Sequence, residues 1–107
     1  MINNVTLIGR LTADPTIKTL ESDVKVANFT LAVEKTYKNK DGERDANFIS
    51  IVAWRKTAEL IEKYLKKGNM CAVQGSIETR SYEGQDGVRH YVTEVLANEI
   101  QLINTAN

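Results

Sequence analysis

The sequence is poor in the residues on which secreted and membrane proteins depend. Its 107 residues include one cysteine, one histidine and one proline. A single cysteine excludes an intramolecular disulfide, so a reducing cytoplasm is the expected compartment, and apolar neighbours predict that Cys71 is a buried, inert thiol. The first residues lack the charged start and apolar run of a secretory signal. No apolar run approaches the ~20 residues of a membrane-spanning helix.

The chain also lacks the groupings that catalysis and metal binding require. No cluster of His and Cys has metal-ligand spacing, and no glycine-rich loop is suited to phosphate. Asp41, Glu43 and Asp45 form an acidic group, but Lys40 and Arg44 alternate with them, which is typical of a solvated hairpin rather than a Mg²⁺ site. We therefore expect no enzymatic activity, no cofactor and no metal.

Net charge is the third absence. Lys and Arg number 14 and Asp and Glu number 14, so the formal net charge is zero. Proteins that bind nucleic acid usually carry a net basic field, and its absence argues mildly against such a partner. Affinity depends on where the charges lie rather than on their sum, so local clusters of cations decide the question.

What the chain does contain is the pattern of a small all-β barrel, in one domain spanning residues 1–107. Period-two alternation predicts strands over 3–12, 24–35, 46–54, 69–80 and 88–103, with a short edge segment at 16–20 and one helix over 56–67. This order is that of the OB-fold, a five-stranded Greek-key barrel, with the helix between strands 3 and 4. An SH3-like barrel is the main alternative, but it rarely has a full helix at this position.

Several details of this barrel are expected. Gly9 is predicted to form a bulge or bend in the first strand, and Gly68 a left-handed cap after the helix. Tyr64 is expected to pack under the helix, and Ile77 to lie on the core face of its strand. A small, partly open barrel also leaves sheet edges that need covering, which favours contact with another chain.

The stretch Tyr37–Lys56 has the most unusual pattern. It begins with a lysine-bearing arm and an Asp41-Gly42 turn signal, and then alternates as a strand. Its aliphatic residues share the face that packs into a core. Phe48 and Trp54 lie on the opposite face, roughly 20 Å apart at the usual rise per residue. We interpret this opposite face as a stacking platform for unpaired bases.

Four aromatic residues are expected away from the core: Tyr37, Phe48, Trp54 and Tyr82. Phe29 is expected in the core, and Tyr91 is ambiguous. Cations accompany most of the four, and six are expected to contact phosphates: Arg10, Lys35, Lys38, Arg55, Lys56 and Arg80, with Arg89 as a further candidate. Aromatic rings stack on any base while Lys and Arg follow the backbone, so the pattern predicts binding of nucleic acid. Alternatively, these rings fill the outer face of the barrel or a contact between subunits.

Six blocks of the sequence follow one another in a distinctive order: Asn4–Pro15, Val26–Val33, Trp54–Glu59, Tyr64–Gly68, Gly75–Arg80 and Tyr91–Val95. In this order and spacing the chain resembles the bacterial and phage single-stranded DNA-binding proteins over residues 2 to about 103. The resemblance implies an OB-fold, usually a homotetramer, that coats single-stranded DNA without sequence preference in replication, recombination and repair. The stacking aromatics of that family match Tyr37, Phe48, Trp54 and Tyr82.

The sequence departs from the long members of that family, which continue into a Gly/Pro/Gln-rich linker and an acidic tip that recruits other enzymes. Because this sequence stops at Asn107, recruitment through an acidic tail is not expected, as in short forms associated with phage or with DNA uptake. The expected location is the cytoplasm, with the nucleoid. The alternative function is that of an OB-fold module of a primosome or of an RNA-binding protein.

Overall fold

The computed structural model describes residues 1–104, which contain six strands and one helix joined by loops. In chain order they are β1 (Val5–Leu11), β2 (Thr16–Thr19), β3 (Lys25–Glu34), β4 (Ala46–Trp54), α1 (Arg55–Tyr64), β5 (Met70–Glu83) and β6 (Arg89–Asn104). The predicted order of long strands and helix is confirmed, and the expected edge segment is β2. The helix lies between the third and fourth long strands. The last residues of the predicted domain, 105–107, lie outside the described part.

The strands close into a barrel because β1 has a partner on each side. The order across the sheet is β1-β5-β6-β4-β3-β2, and β1 also pairs with β3 through Arg10–Ala32 and Leu11–Leu31. Neighbouring strands are antiparallel except β4 and β6, which run parallel. Five long strands closed in this order form the predicted OB-fold. The closure is short: β3 pairs with β1 only at Arg10 and Leu11, whereas β5 pairs with it from Val5 to Arg10, so the expectation of a partly open barrel holds for the first part of β1.

The core consists of the inward faces of the strands, covered at one end by α1. Alternation along β3 buries Phe29 and Leu31, as predicted. Ala58 and Ile61, about one helical turn apart, pack onto this cluster together with Leu65. Among the side chains that the structure describes, no polar or charged one is buried. The side chains of the core are therefore held by apolar packing.

Cys71 lies within this core, as expected. Its side chain is fully buried, and desolvation raises the pKa of the thiol to about 11. The thiol is therefore protonated at neutral pH and shielded from solvent, as an inert core residue is.

Helix α1 begins one residue before the predicted span 56–67 and ends sooner. It stops at Tyr64 because Leu65, its C-cap residue, is extended, with φ of −103° and ψ of 136°. Gly68 is left-handed as expected, with φ of +88°, but the prediction that it caps the helix is wrong, because it lies in a separate turn closed by the Asn69 N–H and the Lys66 carbonyl. The prediction that Tyr64 packs beneath the helix is wrong, because Leu65 occupies that position. Tyr64 is 46% exposed, and the Lys63 ammonium lies 5.3 Å from its ring centroid. Within residues 1–104, no helix is long and apolar enough to cross a membrane.

The bulge predicted at Gly9 is not found there; β6 instead carries an extra residue, Asn98, opposite the step from Gln74 to Gly75 in β5. The β1–β5 ladder passes through Gly9 without a register shift, whereas the β5–β6 ladder shifts between Gln74 and Gly75. Gly9 is instead a place of close approach, since a Cβ there would lie 2.4 Å from the carbonyl oxygen of Ala32. At Gly75 the approach is closer still, because a Cβ would lie 1.9 Å from the carbonyl oxygen of Leu96.

Past Gly75, β5 and β6 leave the barrel wall as a two-stranded ribbon, which we call the arm (residues 78–94). No residue of β1 pairs with β5 beyond Gly75, and β4 pairs with β6 only outside the arm. Ile77 therefore loses the cover of β1, and the prediction that it lies in the core is wrong: it is 47% exposed. The side chain of Asn3 takes the place of a neighbouring strand there, hydrogen-bonding both the N–H and the carbonyl of Ile77.

Crowding at the bulge yields a stability prediction. We expect Gly75→Ala to lower the free energy of unfolding by about 1–3 kcal/mol, because the new methyl group must displace backbone rather than a flexible side chain. Ser76→Ala, one residue on, is the control, since that position already carries a Cβ. Urea unfolding at one fixed protein concentration measures both variants. Unchanged or greater stability of Gly75→Ala would contradict the close approach.

Candidate nucleic-acid interface

Phe48 and Trp54 lie on the outer face of β4, as predicted. They are 69% and 44% exposed, whereas the aliphatic residues of the other parity pack towards the core. Small neighbours on β3 leave both rings open, since Ala32 lies directly opposite Phe48 and Val26 directly opposite Trp54. Directly paired residues share one face of a sheet. The pairing therefore fixes which side chains of other strands lie beside each ring.

Trp54 forms one wall of a groove of about 390 Å³ between the outer face of β2–β4 and the base of the arm. Apolar side chains and four charged ones line it, among them Val26, Val52, Leu96, Lys18, Arg80, Glu78 and Glu94. Lys18 pairs with Val26, whose other neighbour is Trp54, so the three form one row across the strands. A base stacked on Trp54 would thus have cations from two different strands around it.

Arg80 does not stand alone in this groove. Its Nε donates to Oε1 of Glu94 over 3.1 Å, and the carboxylate is the more enclosed partner, with 12% of its side chain exposed against 59% for Arg80. Such a pair at a surface contributes little to stability. Its effect on a ligand is larger, because the carboxylate competes with a phosphate for the same guanidinium.

A second hollow adjoins Trp54 at the start of α1. Arg55 and Lys56 line it, so both cations predicted after Trp54 share a hollow with its ring. Arg55 has φ of +57°, a left-handed conformation that is uncommon for residues other than glycine, and it turns the chain from β4 into the helix. Lys25 lines the same hollow, but its ammonium binds Glu62 on α1, and that hydrogen bond raises the pKa of Lys25.

Tyr82 lies on the arm, on the same face as Arg80 and 49% exposed. Cross-strand pairs connect this face with that of Trp54: Ser76 on β5 pairs with Leu96 on β6, and Leu96 pairs with Val52 on β4. The Tyr82 ring stacks on His90 of β6, with centroids 5.2 Å apart and planes inclined by 23°. Three of the proposed platforms, including Phe48, thus belong to one continuous outer face.

Tyr37 lies in the loop between β3 and β4 and is 65% exposed. The Lys35 ammonium lies 5.9 Å from its ring centroid. Arg44 organises this loop by donating to the carbonyls of Lys35 and Thr36, and the Asn39 side chain accepts the N–H groups of two following residues. Lys38 is an exposed residue of the same loop. No group of three or more His, Cys, Asp or Glu in residues 1–104 is arranged to hold a metal.

Arg10 shares a face with Phe48, because each of them pairs with Ala32 of β3. Two strand spacings separate them, about 10 Å. The Nη1 of Arg10 donates to the carbonyl of Gly68 over 3.0 Å, which ties the guanidinium to the turn after α1. Arg10 therefore lies at the margin of the face, whereas Arg80 lies within the groove.

Apart from Tyr82, which shares the face of Arg80 on the arm, the predicted residues form three groups. Trp54 has Arg80 on one side and Arg55 and Lys56 on the other, Phe48 shares a face with Arg10, and Tyr37 lies with Lys35 and Lys38 in the loop. Three neighbours were missed in the sequence: Lys18, Glu94 and His90. Hairpin pairing about the turn at 84–87 is the one local signal that points to His90 as the partner of Tyr82. The same hairpin places Glu94 near Arg80, whereas the position of Lys18 beside Trp54 depends on the registers of β2 on β3 and of β3 on β4, for which the sequence has no local sign.

Comparisons with known proteins point to one family. The family model described as the single-strand binding protein family matches residues 2–103. A Bacillus cereus protein named single-stranded DNA-binding protein is 52% identical over 107 residues, which is the whole of this chain and 63% of that relative. Staphylococcus aureus single-stranded DNA-binding protein 1 is 50% identical over 107 residues, 69% of its length. The chain thus spans less than two thirds of the Bacillus cereus relative.

The ion pair in the groove yields a prediction about charge. We expect Glu94→Gln to strengthen binding of a single-stranded oligonucleotide by about 1.4- to fivefold at low salt, the range for an ion pair of about 0.2–1 kcal/mol. The salt dependence should steepen by up to about 0.7 in log–log slope, because the freed Arg80 can neutralise one more phosphate. Titrations with oligo-dT at several salt concentrations measure both effects.

Glu99→Gln is the matched control, because it removes the same charge from a hollow beside Thr6 and Gln74, away from the groove. It should change affinity less than Glu94→Gln does. Weaker binding by Glu94→Gln would contradict competition between Glu94 and phosphate.

Proposed function

The chain belongs to the single-strand binding protein family, and from that premise we propose that it binds single-stranded DNA without sequence preference. Its role would be to coat and protect unpaired strands in replication, recombination and repair, and possible settings include DNA uptake. The observation that carries the proposal is the exposed Trp54 ring between two hollows, each lined by cations. The role is one of binding without catalysis, exercised in the cytoplasm wherever DNA is unpaired.

Stacking accounts for the lack of sequence preference. Every base has a π-face, so rings such as Phe48 and Trp54 accept any of the four. Alanine substitution of such a ring typically costs about 1–3 kcal/mol per base. Four rings, at Tyr37, Phe48, Trp54 and Tyr82, would then set an upper range of about 4–12 kcal/mol for the stacking part of the binding free energy. The true value is lower where neighbouring contacts are not additive.

Phosphate contacts add to the binding affinity a contribution that depends on salt concentration. The six cations proposed for this role are Arg10, Lys35, Lys38, Arg55, Lys56 and Arg80, and Lys18 joins them because it lines the groove with Trp54. Each neutralised phosphate of a single strand contributes about −0.7 to the slope of log affinity against log salt. Affinity should therefore fall steeply with salt although the chain has no net charge.

Removing the central ring tests the proposal. We expect Trp54→Ala to weaken oligo-dT binding by about 5- to 150-fold, the equivalent of about 1–3 kcal/mol for one stacked base. In the unaltered protein, Trp54 fluorescence should be quenched as oligo-dT is added, because Trp54 is the one tryptophan. Tyr64→Ala is the control, since Tyr64 is 46% exposed against 44% for Trp54 but lies on α1.

Absence of quenching at low salt would remove Trp54 from the site, and equal losses in the two variants would deny the outer face a special role. Oligo-U serves as a second ligand in the same titration. Comparable affinity for oligo-U and oligo-dT would favour the RNA-binding alternative over a DNA-binding role.

A homotetramer is part of the proposal. β3 pairs with β1 only at Arg10 and Leu11, so Val5–Gly9 have no β3 partner and that edge is available for pairing with another copy of the chain. Support comes from the outer face of β1, where Ile8 is 54% exposed beside its partner Ala72 of β5. An exposed isoleucine on a wall of paired strands is suited to burial against another copy of the chain. Several barrels in one particle would let one DNA strand contact several sets of rings.

Sedimentation tests the assembly. The unaltered protein at micromolar concentration should sediment as a species of about four 12.0 kDa chains, and Ile8→Lys should shift it to smaller species. Such a charge would be buried without a partner in the assembly, at a cost of several kcal/mol. Val88→Lys is the control, because Val88 is also 54% exposed but lies at the tip of the arm. A monomer-sized unaltered protein would rule out the tetramer.

A further inference from the structure

Two aromatic rings face each other on the arm, and one of them has no role in the function proposed above. Tyr82 and His90 are direct cross-strand partners. Their centroids are 5.2 Å apart and their planes are inclined by 23°, within the range of offset stacking. The stack covers one face of the Tyr82 ring, and Tyr82 as a whole remains 49% exposed. Tyr82 thus has one occupied face and one open face.

The position of His90 is set by the hairpin turn. The ring lies over Gly84, where a Cβ would come within 2.8 Å of its Nε2. Oδ1 of Asp86 lies 3.5 Å from the same nitrogen, and this oxygen also accepts the N–H of Val88 over 3.0 Å. The turn therefore provides both the space for the imidazole and a carboxylate beside it.

We propose that His90 is a positioning residue of the strand-binding face: it backs Tyr82 so that this ring presents its open face to one base. The inference rests on the proposed function and adds a residue to its site. An exposed tyrosine without such a backing would sample several rotamers, and binding would have to immobilise it. Stacking on His90 restricts the Tyr82 ring before DNA binds, so less conformational entropy is lost on binding.

The stack could instead serve only to hold the hairpin together. The two roles differ in what they require of Tyr82. A backing residue acts through the Tyr82 ring, so its removal has no consequence once that ring is absent. A residue that shapes the arm also affects Arg80 and the groove, with or without Tyr82. The coupling between the two side chains therefore separates the roles.

A double-mutant cycle measures this coupling. Oligo-dT is titrated against the unaltered protein, His90→Ala, His90→Phe, Tyr82→Ala and the double variant Tyr82→Ala/His90→Ala, with Trp54 fluorescence as the signal. His90→Ala should weaken binding by about two- to tenfold, the range expected for immobilising one side chain. His90→Phe, which keeps a ring against Tyr82, should remain within about twofold of the unaltered protein. In the Tyr82→Ala background, removal of His90 should have no further effect.

The outcomes separate this inference from the proposed function. Failure of the unaltered protein to bind oligo-dT would refute the proposed function and this inference with it. Binding by the unaltered protein with no loss in His90→Ala, or with no rescue by His90→Phe, would overturn the role of His90 alone. An equal loss from His90→Ala with and without Tyr82 would assign the effect to the shape of the arm. Urea unfolding of each variant identifies any loss of folded protein.

Discussion

The register of β3 on β4 determines which side chains the outer face presents. Nine consecutive pairs join these strands without a shift. Because side chains alternate along a strand, this register buries Phe29 and Ile51 on one side. The same register exposes Phe48 and Trp54 on the other. A slip of one residue would exchange the two sets. The dry core and the aromatic face are thus consequences of one pairing, and neither can be altered without the other.

A chain without net charge can still place cations beside a bound single strand. Two cations line the groove beside Trp54, and three more line the adjoining hollow, where the Lys25 ammonium is bound to Glu62. Charges separated by more than the Debye length, roughly 8–10 Å near physiological salt, are largely screened from one another. Distant acidic residues therefore have little influence at Trp54, but Asp23 and Glu59 line the adjoining hollow and do affect it. Glu78 and Glu94 lie inside the groove and do affect it, so the balance of charge within the groove sets the electrostatic term.

The spacing of apolar and polar residues within a segment was sufficient to predict the strands, the helix and the faces of the strands. Alternation along β4 predicted the outward positions of Phe48 and Trp54, and the order of the elements predicted the OB-fold. Long-range register has no such local sign. Lys18 lies near Trp54 only because β2 pairs with β3. Ile77 has the alternation of a core residue, yet it is exposed because β1 does not extend that far. The roles of individual side chains in binding DNA stay predictions.

The arm must hold its aromatic ring by different means from the barrel. Phe48 and Trp54 stand on a wall that has neighbouring strands and a packed core beneath it. In the described structure the arm consists of two strands paired only with each other, and an isolated hairpin is at best marginally stable in water. Its order depends on contacts between its own side chains: the Tyr82–His90 stack, the Arg80–Glu94 ion pair and the Arg89–Ser81 hydrogen bond. Contacts that would add little on the barrel wall therefore decide the geometry of the arm, and a substitution there acts on Tyr82 even where it touches no DNA.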